Sequence, residues 1–172
     1  MDYKPKRIHI IGSVGSGKTT LAKKLSSKLS IPYYELDNIV WKRTKNGDVR
    51  NTMEDRDSIF QNIIFNDQWI IEGVHYEWVS KSFEEADIIL VLDVPKRKRR
   101  YRIMKRFFFQ KVGIEKANYK PTFNMLRKMF VWNHNFETIY RPEILFMLKK
   151  YKQKVYLLKD NNEIQFLLRK ID

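Results

Sequence analysis

The chain has 172 residues, 43% hydrophobic and 14% aromatic, enough apolar matter for one buried core, and it contains no cysteine, which excludes disulfide frameworks, thiolate metal sites and cysteine nucleophiles. Its 34 Lys plus Arg against 20 Asp plus Glu give a net charge of +14, a balance that selects polyanionic partners such as nucleotides, nucleic acid or anionic lipid. The scattered histidines His9, His75 and His134 form no local metal pattern and no apolar stretch reaches bilayer length, so a cytoplasmic chain with no membrane partner is expected, folded as a single domain over 1–172.

Arg7 to Ile11 is a short apolar run that ends at Gly12, and after a Gly/Ser loop Leu21, Ala22, Leu25 and Leu29 recur at helical spacing. The pattern predicts strand, loop, helix. Ile31 to Leu36 is β-prone and predicts a second strand with Asp37 at its end. Residues 42–51 are charged and contain the turn signal Asn46-Gly47-Asp48. Thr52 then opens a helix, with Asp55 in a capping-box-like position and Ile59, Phe60, Ile63 and Ile64 as its buried stripe. Trp69 to Ile71 predicts a third strand ending at Glu72-Gly73. Asp87 to Val94 predicts a fourth, whose near-continuous apolar run suits a strand covered on both faces.

From Lys96 to Lys111 nine basic residues stand without an acidic one, leaving only +5 for the rest of the chain. On the helix predicted there, Ile103, Met104, Phe107 and Phe108 share one face and Arg99, Arg102 and Arg106 another. A loop around Gly113 to Pro121 follows, then a helical segment through Met125, Met129 and Trp132, a helix opened by Pro142, a fifth strand over Lys154 to Leu158 and a closing helix over Ile164 to Ile171. Strands alternating with helices imply an α/β fold with a parallel sheet, in which ligands bind at the carboxyl ends of the strands. Gly12, Asp37, Glu72 and Asp93 all fall there.

Gly12-Ser13-Val14-Gly15-Ser16-Gly17-Lys18-Thr19 matches G-x-x-x-x-G-K-[ST] between a predicted strand and a predicted helix, the context in which the motif binds nucleotide phosphates. The chemistry accounts for the composition: backbone N–H groups of Gly12, Ser13, Gly15, Ser16, Gly17 and the Lys18-Thr19-Thr20 start of the helix converge on phosphate only where side chains leave room. Lys18 is expected at the β- and γ-phosphates of ATP and the Thr19 hydroxyl on Mg²⁺.

The chain resembles the small adenylate-kinase-like P-loop kinases, the group with adenylate, shikimate and gluconate kinases, over nearly its whole length. Within that group it is most similar to the bacterial DNA topology modulation proteins, through Leu36-Asp37 with Trp41-Lys42, Trp69-Ile70-Ile71-Glu72-Gly73, Leu92-Asp93-Val94-Pro95 and Tyr140-Arg141-Pro142-Glu143-Ile144-Leu145. The resemblance implies a three-layer P-loop fold, a five-stranded parallel sheet in the order 2-3-1-4-5, a helical lid over 109–135, and transfer of phosphoryl from Mg-ATP to a small acceptor. It implies that Asp37 accepts or orients the acceptor hydroxyl, that Glu35 helps position Mg²⁺ through water, and that Glu72 holds the metal while Gly73 lets the acceptor approach the backbone. Asp93 competes with Glu72 for the metal role. Arg102 and Arg106 match an Arg-x-x-x-Arg pair that stacks on adenine and clamps the transferring phosphoryl, with Arg141 as a third positive group; most of Lys96 to Arg100 is read as a solvated basic face.

The pattern breaks after Gly73, where Val74-His75-Tyr76-Glu77 lacks the arginine with which nucleoside-monophosphate kinases grip their acceptor. Arg43 or Arg50 are the candidates to replace it. The acceptor is therefore either a nucleoside monophosphate or a small hydroxylated metabolite. The rival reading is a nucleic-acid-associated regulator that uses ATP as a switch, its basic helix with Tyr101 and Phe107 to Phe109 meeting phosphates and bases. Retention of Lys18, Thr19, Asp37, Glu72, Arg102 and Arg106 argues against an inactive scaffold.

Overall fold

The computed structural model describes residues 4–44, 47–115, 121–159 and 161–170. Asn46, lid residues 116–120 and the side chain of Arg43 lie outside the described residues. In chain order the elements are β1 (Arg7–Gly12), α1 (Lys18–Leu29), β2 (Tyr33–Glu35), α2 (Leu36–Val40), β3 (Trp41–Thr44), β4 (Gly47–Arg50), α3 (Met53–Ile64), β5 (Trp69–Gly73), α4 (Ser80–Glu85), β6 (Ile88–Leu92), α5 (Lys96–Lys111), α6 (Phe123–Asn135), α7 (Arg141–Leu148), β7 (Val155–Leu158) and α8 (Asn161–Lys170).

β1, β2, β5, β6 and β7 form one parallel sheet in the order β2-β5-β1-β6-β7. Counted among themselves, these five strands stand in the order expected. The antiparallel hairpin β3-β4 is an addition: it occupies the charged stretch that the sequence marked only with a turn, and every residue of β4 is exposed, so no apolar alternation announced it.

β1 is buried on both faces, and its period of two sorts its side chains. Ile8 and Ile10 pack with Leu21 and Leu25 of α1 and with Leu90 and Leu92 of β6. Ile11 faces the other way, into a core with Phe60 and Ile64 of α3, Phe83 of α4, and Ile144 and Leu148 of α7. A third, smaller cluster joins Ile103 and Phe107 of α5 to Leu126 and Met129 of α6, with Val14 of the Gly-rich loop against it. The lid helix thus has its own apolar seat beside the loop.

Thr52 caps α3 by accepting the Asp55 N–H, as its spacing predicted. The stripe of α3 is narrower than expected, because Ile59 is exposed and lines an open cleft with Asn38 and Trp41. On α5, Phe108 is exposed while Ile103 and Phe107 are buried. Pro142 stands in the first turn of α7, as expected of a helix opened there, and the chain enters that helix directly from α6. Residues Phe136–Tyr140 form a π-helical turn that carries α6 into α7, and the Arg141 N–H reaches the Phe136 carbonyl. The π register precedes the residue whose missing N–H and bulky ring an α-helical turn cannot accommodate. No described helix is long and apolar enough to cross a membrane.

Candidate active site

β1 delivers the Gly-rich loop, and the loop's glycines answer to its surroundings. A Cβ at Gly12 would lie 2.9 Å from Ser16 Oγ and 3.0 Å from Leu92 Cβ, because β6 runs directly alongside. Gly15, at φ +74°, has the Arg99 carbonyl 2.9 Å from the place of its absent Cβ, so the loop is pressed onto the first turn of α5. Gly17, at φ +100°, precedes α1 and leaves the N-terminal N–H groups of that helix open.

Lys18 donates to the Ser13 carbonyl at 3.1 Å, folding its ammonium back across the loop. Thr19 donates through Oγ1 to the Glu72 carboxylate in a short contact. The sheet explains the meeting: β5 lies beside β1, with Glu72 in register with Ile10 on one side and with Glu35 of β2 on the other. Glu72 is buried, and burial raises its carboxyl above the ordinary range against the pull of Lys18 and the Thr19 hydroxyl. Glu35 and Asp37 are close enough to push it in the same direction. Three carboxylates, a hydroxyl and an ammonium therefore share the carboxyl end of the sheet. Among the described residues no cluster of three His, Cys, Asp or Glu forms a metal cage. The hard oxygens of Thr19 and Glu72 suit Mg²⁺, an ion that keeps waters and phosphate oxygens in its shell.

Asp93 is elsewhere. Both its oxygens accept from Arg141, Nε at 2.6 Å and Nη2 at 2.7 Å, and these hydrogen bonds hold its carboxyl below the usual value. Of the two acids in competition, Glu72 is the one against Thr19, and Asp93 orients the start of α7. Arg141 is correspondingly committed to Asp93.

Arg102 Nη1 donates to the Ser16 carbonyl at 2.8 Å, laying its guanidinium across the loop. Arg106, one turn on, lies 3.4 Å from Glu115. Arg99 departs from the solvated face assigned to Lys96 to Arg100: it is fully buried, pairs with Glu137 of the π turn and lies over the Phe136 ring. The α5 turn that bears it is pinned beneath Gly15, which turns that side chain inward. Gly73 has a packing reason of its own, since a Cβ there would meet the Leu36 side chain at 2.7 Å. That space belongs to Leu36 rather than to an approaching acceptor. Thr20 is exposed on α1.

Two neighbours of the site were not singled out by sequence. His75 Nε2 lies 3.4 Å from Asp37 Oδ1, in the place where the acceptor-gripping arginine is missing. Asn133 of α6 is fully buried and accepts from Ser13 Oγ at 3.5 Å. A lone Asn amid Trp132, His134 and Asn135 carries no spacing signal that marks it.

Residues 8–107 match a protein-family model described as an AAA domain. The curated relative "Uncharacterized protein YqaC" of Bacillus subtilis (strain 168) is 32% identical over 112 residues, which cover 64% of this chain; the chain spans about three fifths, 61%, of that relative's length. Among solved structures, a shikimate kinase from Bacteroides thetaiotaomicron superposes with a TM-score of 0.54 at 15% identity, covering 97% of this chain and 96% of its own. A gluconokinase from Sinorhizobium meliloti gives 0.50 at 13% identity, with 97% and 89% covered. At these identities the likeness is one of fold alone. The family match covers more than half of the chain, from β1 and its phosphate loop to the basic helix: this protein belongs to the AAA domain family.

Proposed function

We propose that the chain is an ATP-dependent phosphotransferase of the cytoplasm that moves the γ-phosphoryl of Mg-ATP to a small acceptor, either a phosphate oxygen of a nucleoside monophosphate or the hydroxyl of a small metabolite. The observation that carries this reading is the sharing of one sheet end by Lys18, Thr19 and Glu72 with a second acidic pair, Glu35 and Asp37, one element away. A nucleotide switch needs the first group, and an acceptor hydroxyl needs the second. Lys18 exchanges the Ser13 carbonyl for phosphate oxygens. Thr19 and Glu72, with Glu35 beside them, would hold Mg²⁺, which would supply positive charge against the phosphates. Asp37 takes the proton of the acceptor hydroxyl as its oxygen bonds to phosphorus and the bond to ADP breaks. Arg102, already over the loop, supplies positive charge to the transferring group, and Arg106 and Arg141 join it if the lid rearranges their pairs with Glu115 and Asp93.

The runs Trp69-Ile70-Ile71-Glu72-Gly73 and Tyr140-Arg141-Pro142-Glu143-Ile144-Leu145 support a place for it among the DNA topology modulation proteins. A second reading, an ATP-binding regulator on nucleic acid, draws on the exposed cations Arg97, Lys98 and Arg100 beside Tyr101, which is 68% exposed. The deciding experiment is ADP release from Mg-ATP against nucleoside monophosphates and small hydroxylated metabolites, with Lys18→Ala as blank. Acceptor-dependent release above the blank identifies the kinase and its substrate class. Slow, acceptor-independent release, together with steeply salt-dependent DNA binding, overturns it in favour of the regulator.

A further inference from the structure

We infer that Asn133 is a ligand for the terminal phosphate of the nucleotide, brought to the loop by α6. The inference rests on the proposed nucleotide site and adds to it a group that neither the Gly-rich motif nor the basic helix supplies. Asn133 is 0% exposed, and a buried side-chain amide is costly unless both of its ends are bonded. One end is used: Oδ1 accepts from Ser13 Oγ at 3.5 Å. The other, Nδ2, is buried with no hydrogen-bond partner among the described residues.

The position of that free donor identifies what it is for. Ser13 is the second residue of the phosphate loop, and its carbonyl is the group on which Lys18 Nζ rests at 3.1 Å. A P-loop lysine works between the β- and γ-phosphates, so an amide beside Ser13 stands at the terminal-phosphate end of the loop, away from the Thr19 end where the helix begins. An Nδ2 amide carries two N–H donors and suits a phosphate oxygen that has lost its water.

The helix that carries Asn133 is held in place independently. Glu137 follows it at i+4, on the same face, and pairs with Arg99, whose own carbonyl lies beneath Gly15. Leu126 and Met129 seat the preceding turns against Ile103 and Phe107. Asn133 is therefore held beside Ser13 by contacts that involve no ligand. Ser16 Oγ and Arg99 Nε and Nη1 are also buried without hydrogen-bond partners among the described residues, so the junction between the loop and α6 holds further polar capacity.

The test is calorimetric binding of Mg-AMP-PNP and Mg-ADP to the whole chain, with Asn133→Ala and Asn133→Asp. Both variants are expected to lose about tenfold or more in AMP-PNP affinity, the effect of one charge-assisted hydrogen bond, with Asp the worse because it sets a carboxylate against phosphate. Affinity for ADP, which lacks the terminal phosphate, should stay within about twofold. Equal losses for both nucleotides, as a merely structural role would give, overturn the inference, and so does an unchanged AMP-PNP affinity. If neither variant folds, a wild-type complex with AMP-PNP decides: Nδ2 at about 3 Å from a γ-phosphate oxygen supports the assignment, and a separation beyond about 4 Å overturns it. A wild-type chain that binds neither nucleotide overturns the nucleotide reading itself, an outcome distinct from variants that bind like wild type.

Discussion

Glu72 sits where burial and function pull in opposite directions. Burial raises its carboxyl above the ordinary value of 4.5, whereas the metal-holding role proposed for it requires the ionised form. Between that value and the raised one, the native state holds a proton that the unfolded chain has released, so stability falls as pH rises through the window. Glu72→Gln retains an acceptor for Thr19 and removes the ionisation. Thermal unfolding at pH 7 should show the variant more stable than wild type, while its Mg-dependent turnover falls by about 100-fold or more. His9 has the reverse sign. It is fully buried in β1 against Phe83, bonded through Nδ1 to Ser82 Oγ at 2.8 Å, and burial lowers its pKa from 6.5 to about 3. The unfolded chain therefore takes up the proton first, and the stability is present above pH 6.5 and lost as pH falls toward 3. His9→Leu should flatten the dependence of unfolding free energy on pH over that range; an unchanged slope would show that His9 is not the titrating group.

At the scale of elements, the π turn is the feature around which the basic helix and the lid are organised. It places Glu137 on Arg99 and brings Arg141, at the start of α7, to Asp93 at the end of β6. These are two ties between the strand-helix corner of β6-α5 and the α6-α7 segment. The Asp93–Arg141 pair is bidentate and partly buried, with side-chain exposures of 13% and 33%, a geometry that carries more than a surface ion pair. A double-mutant cycle with Asp93→Asn and Arg141→Met should return a coupling of about 1–2 kcal/mol in chemical unfolding. A coupling near zero would mean that apolar packing by Ile144 and Leu148 alone holds α7.

Over the whole molecule the charge is divided by tertiary structure into different duties. Arg99 is buried, Arg102 lies on the loop and Arg106 meets Glu115, whereas Arg97, Lys98 and Arg100 stay exposed on the same helix. If that exposed group meets nucleic acid, replacing those three by Ala should lower the slope of log affinity against log salt for single-stranded DNA by about 2, since each phosphate contact contributes about 0.7. Turnover with the best small acceptor should be unaffected. Loss of turnover in that variant would show that the face serves catalysis.

The sequence by itself determined the parallel α/β sheet and the phosphate loop, because both are written locally: apolar runs bounded by Gly, Asp and Pro mark the strands, and the loop's glycines and Lys18 stand within eight consecutive residues. It also placed Glu72 and Asp93 at strand ends, where a ligand meets such a sheet, whereas Asp37, expected at the end of a longer second strand, falls within α2 because β2 stops at Glu35. The different surroundings of Glu72 and Asp93 arise from the packing of the elements, since strand order sets Glu72 beside Thr19 while α7 sends Arg141 to Asp93. The hairpin β3-β4 escaped the reading because it buries no alternating face, and α2 and α4 because five or six residues show no helical period. Asn133 and His75 escaped it for a different reason. Each meets its partner across long stretches of chain, Ser13 and Asp37 respectively, and a contact between distant residues leaves no spacing in the sequence to find.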